Sequence, residues 1–172
     1  MVVIEESGMK FGEYPEEDVF HIEASPQYRK KLMSQGVKSC EFILSRNKVL
    51  YFIEAKTGSP KETTEDSPEE KKEKYTHYIS EITGKMKHAV SLYANILLRR
   101  YGPEGVPADL LRNDPSDKEI RLILVVKNAK KEWLVPLQDK LRSEMNTFCS
   151  IWKIKGLFVI NESTAREKHF VI

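Results

Sequence analysis

The chain lacks the cysteine and histidine spacing of a zinc site: its two cysteines, Cys40 and Cys149, form no CxxC pair and no Cys/His cluster. Both sit in apolar surroundings, which reads as two buried thiols rather than a disulfide. A glycine-rich phosphate loop, a GxSxG elbow and an HExxH helix are also missing, so the chemistries those motifs carry are not indicated. No apolar run approaches the ~20 residues needed to span a bilayer. The opening string MVVIEESGMK has neither the basic flank nor the long apolar stretch of a signal peptide. A cytoplasmic protein without a membrane partner is therefore expected. No internal repeat is found. Net charge is only +2, which neither demands nor excludes a nucleic-acid partner, because a local basic patch can coexist with a balanced total.

What is present suits one soluble domain over residues 1–172, with 40% hydrophobic and 31% charged side chains. Residues 18–23 alternate as a short strand. Ser25-Pro26 then reads as a helix cap followed by proline in the first turn, with a short basic helix over 27–35 stopped by Gly36. Two apolar, β-branched and aromatic runs, 39–45 and 49–57, flank the polar link Arg46-Asn47-Lys48, the pattern of a β-hairpin. Residues 61–74 carry no apolar side chain and read as a solvated loop entering a helix. That helix runs from about 67 to 100, with Tyr75, Ile79, Ile82, Met86, Val90, Tyr93 and Leu97 on one face. A proline- and glycine-bearing surface loop (101–119) precedes the apolar strand 120–127. A second amphipathic helix (133–152), a strand (156–160) and a short last strand (168–172) complete the chain. Strand, long helix, strand is a crossover unit, and it predicts an α/β fold with a central mixed sheet and helices on both faces.

Chemistry is concentrated in the second hairpin strand. Alternation puts Leu50, Phe52, Glu54 and Lys56 on one face, so a row that begins apolar ends in two charges. Burying such groups costs several kcal/mol unless they are paired or bind something. The other hairpin strand places Glu41 between Cys40 and Phe42. A tight turn would set Glu41 opposite the region of Ile53, one step from Glu54. Two carboxylates and a lysine then converge. A hard divalent cation takes oxygen ligands of this kind, and Lys56 could orient a bound water or offset charge on a phosphate. The backbone carbonyl of Ala55 is a further candidate ligand. The alternative is an edge-strand ion pair between Lys56 and either glutamate.

Glu41, twelve intervening residues and Glu54-Ala55-Lys56, within the string IEAKTGSP, resemble the PD-(D/E)xK nuclease superfamily. The resemblance covers residues 18–160 in element order and 39–60 in motif. It implies a restriction-endonuclease-like fold, Mg2+ or Mn2+ as cofactor, and Glu41, Glu54 and Lys56 as catalytic residues. Cys40-Glu41 stands where that family has a proline-aspartate pair. The third core strand would come from residues 18–23 or from the N-terminus. Many members of that family also use an acidic residue from the first helix region, for which Glu23 or Glu17 is the candidate here.

Lys85 and Lys87, on the helix after the motif, are candidate phosphate contacts, against the usual role of surface lysines. His77 and His88 fall near one helix face with Glu81 between them and read as a solvated polar face. A basic surplus after Asp117, including Lys127, Lys130 and Lys131, admits a phosphate-tracking groove. Trp133 and Trp152 read as core or interface. The expectation is a metal-dependent nuclease acting on DNA, as a homodimer or beside a partner protein that supplies specificity. A non-catalytic module of the same fold and a regulatory protein dimerising through its helices are the alternatives.

Overall fold

The structure is a computed structural model and describes residues 1–60, 67–112 and 114–172. The loop expected over 61–74 thus lies partly outside the described residues. Among the described residues, seven strands form two sheets. β1 (Val2–Glu6) and β2 (Met9–Tyr14) make an antiparallel hairpin. The central sheet has the order β3-β4-β5-β6-β7, built from Val19–Phe20, Phe42–Arg46, Val49–Lys56, Glu119–Val126 and Gly156–Asn161. β3, β4 and β5 are antiparallel neighbours, whereas β5, β6 and β7 run parallel.

Local sequence accounts for most of these elements. Asn47 and Lys48 both adopt positive φ (53° and 61°), giving the two-residue turn whose twist matches a hairpin. α1 (Pro68–Leu97) opens on a capping box. The Glu70 N–H donates to Ser67 Oγ at 3.2 Å, and the Ser67 N–H donates to the Glu70 carboxylate at 3.3 Å. Ser25 Oγ caps the short helical segment that follows it, accepting from the Tyr28 N–H, and Gly36 ends that segment at φ 77°. α3 (Lys131–Trp152) keeps Pro136 in its first turn, where an absent N–H costs little.

Helices cover both faces of the sheet, but unequally. Strand order advances β5, β6, β7 without reversal, so two right-handed crossovers place α1 and α3 on the same face. There they bury Leu50, Phe52, Leu122, Leu124, Leu157 and Val159. The opposite face, with Phe42, Leu44, Ile53, Ala55, Ile123 and Val125, is closed by the β1–β2 hairpin, by Phe170 and Val171, and by Ala165 of α4 (Glu162–Glu167).

Three elements differ from expectation. The β1–β2 hairpin was not anticipated; its turn, Ser7-Gly8, takes positive φ at both residues. Residues 168–172 form no strand beyond a single bridge from Val171 to Phe11, because α4, capped by Asn161, occupies the preceding segment. Within the loop 101–119 a short helix, α2 (Ala108–Arg112), packs Leu110 into the core. Cys40 is buried and Cys149 half-buried, and both are free thiols. Among the described residues, no helix is long and apolar enough to cross a membrane.

Candidate metal centre

The hairpin register sets the site. Phe42 stands opposite Ile53, one residue away from the expected pairing of Glu41 with Ile53. Glu41 lies just before β4, and its N–H donates to the Ile53 carbonyl at 3.0 Å. Its own carbonyl accepts from the Glu23 N–H at 3.3 Å. The Glu41 backbone is therefore a joint that ties the turn carrying Glu23 to the end of the strand carrying Glu54. All of this lies at the carboxyl end of β5, the end at which open α/β sheets place their ligands.

On the helix-covered face the row Leu50, Phe52, Glu54 runs from core into the site. Glu54 is 0% exposed and Glu41 5%. Across from them α1 sends down Lys85. Its Nζ lies 3.0 Å from Glu54 Oε1, 3.5 Å from Glu23 Oε1 and 3.7 Å from Glu41 Oε1. Lys56 Nζ lies 3.4 Å from Glu54 Oε1 and 2.7 Å from Glu81 Oε1, one helical turn before Lys85. Four carboxylates thus surround two ammonium groups, and Glu41 and Glu54 both reach the same ammonium rather than opposite faces of the sheet.

Burial dominates the titration of the acids. It pushes the Glu54 carboxyl up to about 7, against the pull of Lys85 and Lys56. Burial, a hydrogen bond with Glu23 and the charge of Glu54 also drive Glu41 well above the ordinary carboxylate range. Glu23 moves the other way: burial opposes its charge, but the Glu41 hydrogen bond and Lys85 outweigh it. Lys85 is held above the usual lysine range by Glu54 and Glu41 despite its own burial.

Charge pairing leaves part of the site unsatisfied. Among the described residues, Glu41 Oε2 and both oxygens of Glu54 are buried without an aligned hydrogen-bond donor. Lys85 and Lys56 approach Glu54 Oε1 as ion-pair partners at 3.0 and 3.4 Å. A buried acceptor left this way costs about 1–3 kcal/mol, and a carboxylate more. Oxygen donors that are buried, close together and under-coordinated fit a divalent cation.

Glu41 also faces a second set of donors. Glu6, at the end of β1, and His21, just after β3, bring His21 Nε2 to 3.3 Å from Glu6 Oε1. One ligand atom from each of Glu6, His21 and Glu41 lies within 4.8 Å of the others, and this group could hold a metal ion. Glu6 is carried there by the docked hairpin turn. Ser7 Oγ donates to the Ala55 carbonyl at 3.0 Å, and Lys127 Nζ donates to the Gly8 carbonyl at 2.6 Å.

Of the residues singled out by sequence, the structure gathers Glu41, Glu54, Lys56, Glu23 and Lys85. Lys85 is engaged with carboxylates, not turned outward. Lys87 is elsewhere, near Glu144 and Cys149 of α3. The Ala55 carbonyl already accepts from Ser7, and the Ala55 side chain belongs to the opposite face. His77 is exposed, and His88 Nδ1 accepts from the Lys38 N–H. Glu6, His21 and Glu81 were missed: Glu6 needs the unanticipated hairpin, and Glu81 needs the rotation of α1 over the sheet. No family model, curated protein or solved structure gives a significant match to this chain.

Proposed function

We propose that this chain is a divalent-metal-dependent nuclease of restriction-endonuclease-like fold that hydrolyses phosphodiester bonds in DNA. The observation that carries the proposal is the convergence of Glu41 and Glu54 with Lys56 at the carboxyl end of β5, both carboxylates buried and under-coordinated. Glu41 and Glu54 would hold Mg2+ or Mn2+. When bound, that ion supplies Lewis acidity toward a phosphate oxygen and a more acidic water. Lys56, part-exposed beside Glu54, is placed to orient a nucleophilic water or to donate to a non-bridging phosphate oxygen, while Glu81 holds its ammonium in position. Lys85 neutralises Glu54, Glu23 and Glu41 in the structure, and a bound cation would supply that charge in its place. Specificity would come from a homodimer or from a partner protein.

One observation favours a second reading, a non-catalytic module of the same fold. Lys85 contacts three of the acids, so the cluster partly neutralises itself without a metal. Nicking of supercoiled plasmid in Mg2+ or Mn2+ separates the two. The nuclease reading expects relaxed product from wild type and a loss of about a hundredfold or more in Glu54→Gln or Lys56→Met. No product from wild type, or equal product from the variants, contradicts it.

A further inference from the structure

We propose that Glu6, His21 and Glu41 form a separate cation site that selects a first-row transition ion over Mg2+, and that Glu41 is shared between this site and the Glu41–Glu54 pair. The proposal goes beyond the nuclease reading and does not depend on any hydrolytic activity.

Three observations carry it. The donor set is one imidazole nitrogen and two carboxylates, with the ligand atoms within 4.8 Å of one another and His21 Nε2 3.3 Å from Glu6 Oε1. The side chain of Glu41 is 7% exposed, and its Oε2 is buried with no hydrogen-bond donor among the described residues. An ionisable side chain is thus held against Glu6 and His21 with unused acceptor capacity. Finally, access is open on one side, because the His21 side chain is 36% exposed and the Glu6 side chain 26%. Buried Glu41 fixes the inner ligand, and the outer two can close on an ion entering from solvent.

The imidazole decides the class of ion. Mg2+ takes oxygen ligands in near-octahedral geometry, whereas imidazole suits zinc, copper, iron and nickel, and carboxylates extend the range to manganese. A mixed set of one nitrogen and two oxygens suits Mn2+, Co2+ or Zn2+ and leaves further coordination positions for water. The three ligands come from β1, from the segment after β3 and from the residue just before β4, so an ion here would also clamp the N-terminal hairpin to the central sheet.

Co2+ is the probe, titrated into the full chain after removal of metals with a chelator and followed by its visible absorption. Wild type is expected to bind Co2+ in the presence of a large excess of Mg2+. His21→Ala and Glu6→Gln are each expected to weaken that binding at least about tenfold, while Glu54→Gln leaves it in place. Wild-type histidine ring NMR guards against misfolded variants: Zn2+ should shift the His21 resonances and leave those of His77, His88 and His169. Co2+ affinity unchanged in His21→Ala, binding abolished in Glu54→Gln, or a Zn2+ shift on another histidine or on none would overturn the proposal. Absence of nicking with Co2+ binding intact would remove the nuclease reading and leave this one standing.

Discussion

Lys85 Nζ lies 3.0 Å from Glu54 Oε1, setting an ammonium from the long helix α1 against a fully buried carboxylate at the end of a central strand. The contact explains how a chain can bury Glu54 at all without a bound cation. A cation bound at the proposed site would be an alternative way of neutralising the same group of acids.

Lys85→Met removes the ammonium nearest Glu54 while keeping much of the stem volume. Breaking a buried pair by removing one partner costs about 3–5 kcal/mol. That loss is expected at pH 8 in urea denaturation, to shrink at pH 5 where Glu54 is protonated, and to be offset by added Mn2+. A uniform loss at both pH values would show that Lys85 acts by packing alone.

Glu54 alone gives the metal-free fold a defined pH dependence. Its carboxyl is raised from 4.5 to about 7, so between these values the folded state holds a proton that the unfolded state has released. Stability from this group is therefore highest below pH 4.5, falls as pH rises toward 7, and levels off above. The change is about 3 kcal/mol. Urea denaturation from pH 4.5 to 8 should show the decline, and Glu54→Gln should make it shallower, leaving the part that the raised Glu41 carboxyl contributes.

Cation binding reverses that trend, since a cation favours the ionised carboxylates. Affinity for Mn2+ should rise from pH 6 to pH 8, with protons released on binding. Calorimetry in two buffers of different ionisation enthalpy reads the release directly; equal heats in both would contradict it.

The hairpin turn is tied to the site by one hydroxyl. Ser7→Ala deletes the Ser7 Oγ to Ala55 carbonyl hydrogen bond and should cost about 1 kcal/mol. Amide exchange in β1 and β2 should quicken, while that in β6 stays slow.

The central hairpin and the two crossover helices were legible because their signals are local. Asn47-Lys48 is a two-residue turn between apolar runs, Ser67 and Glu70 form a cap, and the stripe from Ile79 to Leu97 has helical spacing. Alternation in β5 was enough to put Glu54 and Lys56 on one face. Glu41 was found through an expected register that the structure shifts by one residue, so Phe42, not Glu41, faces Ile53. Lys85 was picked as a phosphate contact, because nothing in a helical stripe says that its polar edge is aimed at a buried acid on a strand 31 positions earlier (Lys85 against Glu54). Glu6 and His21 had no local mark at all. They meet Glu41 only after the N-terminal hairpin docks, and that hairpin was hidden by its short strands and by Gly12 in the second of them.

Calorimetric titration of Mg2+ at pH 8 into wild type and Glu54→Gln tests the metal centre most directly, since Mg2+ avoids the imidazole of His21. Saturable binding by wild type, with proton release, is expected, and so is its loss in Glu54→Gln. Absence of binding by wild type, or equal binding by the variant, would contradict a cation site built on Glu41 and Glu54.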